Sequence, residues 1–217
     1  LTASRMAQSP FDAPVAVTVI DREMIEASGF TELHDLLRLV PGFLVADWAE
    51  GSPTVANHGL GDAYERRSKG MIDGGTVNSP LWGNTNWQDL PVRVDDVERS
   101  EVVRGPNGAA FGVNAFQGVI NIITRSPSTQ RGAGVIARVG KNGFYDHGFR
   151  VSGKAQEVVD WRISASNRRA VNFEPYLHTK PDGKTALNDR EFITRSVFNL
   201  SATAQVAARD ELSLMLG

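Results

Sequence analysis

Apolar and polar residues follow two different rhythms along this chain. In the first half they come in clusters. The run "APVAVTVID" is β-branched and predicts a strand. Asp21 stands where a helix N-cap belongs, with Ile20 and Ile25 placed to staple the first turn, and Gly29 ends the helix. Leu33, Leu36, Leu37 and Val40 recur on one helical face and predict a second helix from Thr31, stopped by Pro41-Gly42. "GFLVAD" predicts a strand, and "SKGMIDGGTV" a strand broken by a turn at Asp73-Gly74. "LPVRVDDVERSEVVRGP" reads as a turn or short helix feeding a strand around Glu101–Arg104. Beyond about Gln130 the rhythm is strict alternation. Phe149 and Val151 oppose Arg150, Ser152 and Lys154; Trp161, Ile163 and Ala165 oppose Arg162, Ser164, Ser166 and Arg168. Phe198, Leu200, Ala202 and Ala204 oppose Asn199, Ser201 and Thr203, and Leu212, Leu214 and Leu216 share a side.

The connections between these alternating strands are short near 155–158 and 207–210, and long and polar from about Asn172 to Arg190. Short turns on one side and long loops on the other are the pattern of an outer-membrane β-barrel. The same alternation fits one sheet of a soluble β-sandwich. Between Arg104 and Arg125 no residue is charged. The glycines at 105, 108, 112 and 118, together with Pro106, Asn107, Asn114, Gln117 and Asn121, exclude a membrane helix. This stretch reads as a tight turn, a small-residue helix and a strand, "GVINIIT", buried in protein.

Composition narrows the function. A net charge of −2 without a basic run gives no footprint for nucleic acid. There is no cysteine, hence neither disulfide nor thiolate metal site. His34, His58, His147 and His178 lie far apart, and Asp47 with Glu50 are too few acids for a metal site. "HGLGDA" does not open a helix after a strand, no P-loop or serine elbow occurs, and Asp95-Asp96 sit beside arginines in a charged turn. No cofactor is implied and catalysis is not expected. The chain opens on "LTASR" without methionine, which suggests an upstream segment.

The motifs together resemble those of TonB-dependent outer-membrane receptors. "VERSEVVRGPNGAAFGVNAFQGVINIITR" is similar to the end of that family's plug, and "MIDGGTVN" to its ligand-side strand and turn. "PVAVTVIDREMI" and "LHDLLRLVPGF" are similar to its opening strand and second helix. The resemblance covers about the first 125 residues, in order. It implies an α+β plug domain, a small mixed sheet with short helices, over 1–127, followed over 128–217 by antiparallel strands of an incomplete transmembrane β-barrel. Barrels of such transporters close with 22 strands. About five are visible here, so roughly 400 further residues are expected C-terminally, and this chain alone should transport nothing.

The resemblance also assigns roles. The plug would gate a barrel that takes up a scarce nutrient, such as an iron-siderophore, haem or cobalamin, across the outer membrane of a Gram-negative bacterium. Its partners would be that nutrient, outer-membrane lipid, and a periplasmic TonB protein pairing with a box largely upstream of Leu1. Two apical loops would meet the nutrient: Trp82, Asn84, Asn86 and Trp87 in "SPLWGNTNWQD", and Trp48, Glu50 and Ser52 in "ADWAEGSP". The alternative for the first loop is that Trp87 packs on the core and the asparagines serve turns. Arg104 matches an arginine held by barrel carboxylates, and with Glu101 would latch plug to barrel. His58 stands where the family has a second arginine, which weakens that latch. Asp73, Gly74, Gly105, Pro106, Gly112, Gly118 and Asn121 carry the plug motifs; Gly105, Gly108 and Gly112 are expected to allow close approach and positive φ. Arg162 and Arg168 would line the lumen.

Overall fold

The computed structural model describes residues 16–48, 52–59, 61, 64–156, 158–171, 177–187, 192–205 and 211–217. The chain divides into two units, Leu1–Arg125 and Ser126–Gly217. The expected boundary at 127 falls inside the short 3-10 turn, Pro127–Thr129, that opens the second unit.

The first unit is built on a mixed five-stranded sheet. Strand β1 (Ala16–Ile20) leads into helix α1 (Arg22–Ser28), whose cap is the one read from the sequence. Asp21 Oδ1 accepts from Met24 N at 2.9 Å, and Gly29 turns left-handed with φ 67°. Ile20 and Ile25 are both buried beneath that turn. Leu33, Leu36, Leu37 and Val40 are buried as expected, but the helix they predict is a 3-10 helix confined to His34–Leu39. Val40, held extended before Pro41, ends it. Strands β2 (Phe43–Trp48) and β3 (Ser52–Asn57) form a separate hairpin. The sheet continues with β4 (Ser68–Ile72), β5 (Gly75–Thr76) and β6 (Val97–Arg104), the last starting four residues earlier than expected. After the short helix α2 (Gly108–Phe111) comes β7 (Gly118–Thr124). The strand order is β1-β6-β7-β4-β5, with β4 and β7 parallel and the other pairs antiparallel. Its core is apolar: Ile20, Val102, Val103, Val119, Ile120 and Ile122 are buried. Of the charge-free stretch, expected to be buried throughout, only strand β7 fills the centre of the sheet; the turn and α2 stand largely in the open, with Pro106, Ala109, Ala110, Val113 and Phe116 exposed and Phe111, Ala115 and Gln117 turned inward.

The second unit is a meander in the order β14-β13-β10-β9-β8, every pair antiparallel. Its strands are β8 (Gly132–Val139), β9 (Tyr145–Ala155), β10 (Val159–Val171), β13 (Phe192–Gln205) and β14 (Glu211–Leu216). Within the expected long polar loop lies a small hairpin, β11 (Leu177–Thr179) with β12 (Thr185–Leu187). The predicted faces hold through the register: Phe149↔Ala165↔Phe198 and Val151↔Ile163↔Leu200 share one side. That apolar side is the uncovered one. Val135 is 83% exposed, Phe198 59%, and Val139, Phe149, Val151, Leu212, Leu214 and Leu216 are also exposed. On the opposite, polar side Asp146, Ser152, Arg162, Ser164, Asn199 and Ser201 are withdrawn from water, Arg150, Ser166 and Arg168 are half-buried and Lys154 is exposed. A sandwich sheet buries the reverse pattern. No helix among the described residues is long and apolar enough to cross a membrane.

Candidate functional site

The plug-type motifs converge on the two ends of β7. At one end β4 turns into β5 through Asp73 (φ 47°) and Gly74 (φ 82°), the paired positive angles of a type I′ turn. The Asp73 carboxylate accepts from Thr124 N at 2.8 Å and from Thr124 Oγ1 at 2.7 Å, and Asn121 Oδ1 accepts from Gly74 N at 3.2 Å. The aspartate and asparagine of two distant motifs therefore tie one turn to one strand.

At the other end the backbone of Gln117 is the junction. Its carbonyl accepts from Gly105 N at 2.8 Å and from Asn57 Nδ2 at 3.1 Å, while its N–H donates to Arg67 O at 2.8 Å. The next residue, Gly118, tolerates no side chain: a Cβ there would stand 2.5 Å from Val103 O. Gly105 and Gly112 do take positive φ; Gly108 does not, and opens α2 with no close neighbour. Pro106 is exposed in the turn between Gly105 and α2. Lys69 Nζ donates to Phe111 O at 2.7 Å, closing the C-terminal end of α2.

The loop carrying Trp82 is organised by Asn78, whose amide accepts from Gly70 N at 3.0 Å and donates to Ser68 O and Gly83 O. Asn114 Nδ2 also donates to Gly83 O, at 2.8 Å, linking this loop to the segment after α2. Trp82 is 56% exposed and stacks on Tyr64, ring centroids 5.5 Å apart. Leu81 beside it is exposed too. Asn86 is exposed and its amide bonds the Asp89 carboxylate, while the Asn84 carbonyl accepts from Ser79 N at 2.7 Å. Trp87 is 5% exposed and lines an internal cleft with Val55, Glu65, Ser68, Thr85 and Ile120. It belongs to the core, the alternative that the sequence left open beside a place in the apical loop. Of the second loop, Trp48 and Ser52 pair across the β2–β3 hairpin, and Glu50 lies outside the described residues.

The three latch residues do not form one cluster within the unit. Glu101, 1% exposed, pairs with Arg99 Nε at 2.9 Å. Arg104 Nη1 instead donates to Pro41 O at 3.1 Å. His58, with φ 54°, donates its N–H to Gly42 O at 2.7 Å, and its ring packs against Gly42. Arg104 and His58 thus hold the same Pro41-Gly42 turn, and Glu101 stands apart. Tyr64 and Arg99 were not marked in the sequence. Tyr64 precedes "ERR" as a lone aromatic in a polar loop, a pattern that carries no signal without its stacking partner.

One titratable group of the first unit has its equilibrium moved by burial. His34 is pushed below the ordinary imidazole value, because desolvation disfavours its charged form. Asp35, Glu32 and Asp47 oppose that shift and Arg38 adds to it. In the second unit Arg168 lies over the Phe144 ring, 5.0 Å from its centroid, and reaches toward Asp146 at 3.9 Å. Arg138 pairs with the same buried carboxylate at 2.8 Å. Among the described residues no three His, Asp or Glu side chains converge as a metal site would need.

Residues 9–119 match the family model described as TonB-dependent Receptor Plug Domain. Over 173 residues the chain is 30% identical to the vitamin B12 transporter BtuB of Photobacterium profundum, covering 80% of this chain and 28% of that protein. Over 141 residues it is 31% identical to an iron-regulated outer membrane virulence protein of Vibrio cholerae, covering 60% of this chain and 20% of that one. The chain therefore spans less than a third of the length of these relatives. The ferripyoverdine receptor of the Pseudomonas aeruginosa outer membrane shares its fold at TM-score 0.71 and 20% identity, over 99% of this chain and 26% of the receptor. The ferric yersiniabactin uptake receptor FyuA of Yersinia pestis does so at 0.67 and 19%, over 95% and 32%.

Proposed function

The chain belongs to the TonB-dependent receptor plug family, and from that premise we propose that it is the N-terminal part of an outer-membrane transporter for a scarce nutrient. The first unit is the plug and the second is the opening stretch of the barrel wall. The observation that carries the reading is the inverted second sheet, whose apolar side chains are exposed while several polar ones opposite them are buried. Lipid is the solvent that makes such a face stable. The plug gates the lumen, and a TonB protein supplies the mechanical work through strand addition to an extended segment of the receptor.

The nutrient is an iron chelate, haem or cobalamin. The relatives include a vitamin B12 transporter and an iron-regulated protein, which supports that group without choosing within it. Trp82, propped on Tyr64, offers an exposed aromatic face to a ring-bearing solute, and Asn86 beside it offers an amide. Arg104 and Glu101 are the residues for a latch to the wall, weakened by His58 where the family has arginine, and no chemistry on the solute is required.

A deletion strain grown on defined iron and cobalamin sources tests the function. Growth restored by the intact gene on one source, and lost again with Trp82→Ala, is the expected result. Normal growth of the deletion strain on every source would reject the transporter reading.

A further inference from the structure

The chain passes between the two units through a braced turn with an anchor on either side. Arg125 is held by the first unit: its N–H donates to Asp96 O at 2.8 Å, and its guanidinium lies 3.6 Å from the Glu98 carboxylate. Five residues later Gln130 is buried against the second sheet. Arg162 Nη1 donates to Gln130 Oε1 at 3.1 Å, and Ser152 Oγ donates to Gln130 O and, at 3.3 Å, to Gly132 O. Arg162 is 1% exposed and heads the large fully buried side chains. Its register partners on both neighbouring strands are serines, Ser152 and Ser201, small enough to leave room for the guanidinium.

Between the anchors the turn braces itself. Ser126 accepts from Ser128 N, and Thr129 Oγ1 donates to Ser126 O at 2.8 Å. Pro127 is buried and fixes its own φ, and it restricts Ser126 to the extended conformation it adopts, φ −61° and ψ 139°. The soft torsions left between the anchors are ψ of Arg125 and φ of Ser126.

We propose that Gln130, Arg162 and Ser152 are a clamp that makes residues 126–130 part of the barrel wall, so that movement of the plug pivots at the Arg125–Ser126 bond. Arg162 is the positioning residue of that joint. Arg125 is held through its backbone N–H and an ion pair with Glu98. The clamp is buried and charge-assisted.

Nitroxide pairs in the whole receptor, reconstituted in lipid vesicles, test this. One pair joins Ser128 to Gln156 in the exposed β9–β10 turn; a second joins Glu23 to Gly75 within the plug. The wild type should give one narrow 128–156 distance that persists in urea sufficient to broaden the plug pair. Gln130→Ala and Arg162→Ala should lose the narrow distance without urea, while Gln130→Glu, which keeps an acceptor, should retain it. The gel mobility shift between unheated and heated sample verifies in each variant that the barrel is folded; if Arg162→Ala lacks it, Gln130→Ala carries the test. A 128–156 distance that broadens together with the plug pair, or stays narrow in Gln130→Ala, would overturn the clamp.

Discussion

In the first unit the residues withdrawn from water are mainly Val102, Val119, Ile120 and their apolar neighbours, with Glu101 and Asn121 among them; in the second they are Asp146, Ser152, Arg162 and Asn199. Both units rest on five-stranded sheets, but the first carries its apolar residues in near-continuous buried runs and the second in alternation along each strand. The difference lies in what each sheet takes as solvent. A sheet that must hide from water buries its branched side chains, at roughly 25 cal/mol per Å² of apolar area. A sheet bathed in hydrocarbon gains nothing by hiding them, and instead turns its polar side chains inward where they find partners. The polarity of a strand therefore reports its surroundings, not its fold.

Substitutions can break that comparison. Ile120→Ala removes a buried side chain at the centre of the first sheet and should cost about 2–5 kcal/mol, read by urea unfolding of residues 10–127 expressed alone. We expect that piece to fold and to give dispersed amide NMR spectra; broad, collapsed spectra would count against an autonomous plug. Phe198→Arg places a charge on the bare face and should cost about 2–4 kcal/mol in lipid, falling if the site lies near the interface. The readout is the folding equilibrium of the receptor in vesicles, and a neutral result would mean that this face meets water.

Smaller changes sharpen the picture of the plug. Asp73→Ala removes both bonds to Thr124 and should cost about 1–2 kcal/mol, while Asp73→Asn, which keeps an acceptor, should cost less. Asp21→Ala removes the cap of α1 and should cost about 1 kcal/mol in the same urea assay. The pH dependence attached to His34 is expected to be smallest. Its folded value lies below its unfolded one, so the unfolded chain binds the proton more readily. Stability should fall as pH drops from the ordinary imidazole value near 6.5 toward the depressed folded value, then level off. His34→Gln should flatten that part of the profile, and an unchanged slope would assign it to other groups.

Local chemistry was legible in the sequence wherever a single residue decides it. Asp21 and Gly29 bound α1, and Asp73-Gly74 turns the hairpin, because caps and tight turns depend on near neighbours. The faces of β9, β10 and β13 were legible because alternation is geometric. The second helix came out as a 3-10 segment because its pattern fits either helix, and Pro41 leaves it only six residues. Trp87 stayed open between the apical loop and the core because composition cannot tell a loop tryptophan that turns inward from one that turns out; it turns inward. The Asp73–Thr124 tie and the Arg162–Gln130 bond span 51 and 32 residues, and nothing in local pattern announces such partners.

Lipid contact by the second sheet is the claim on which the account stands, and single nitroxide labels measure it directly. In the vesicle-bound receptor, labels at Phe149, Ile163, Phe198 and Leu200 should be relaxed strongly by dissolved oxygen and weakly by a water-soluble nickel chelate. Labels at Ser152, Ser164, Asn199 and Ser201 should lack that oxygen-rich signature. Strong nickel relaxation at the first four sites would show that water, not lipid, covers them, and would contradict the barrel-wall reading.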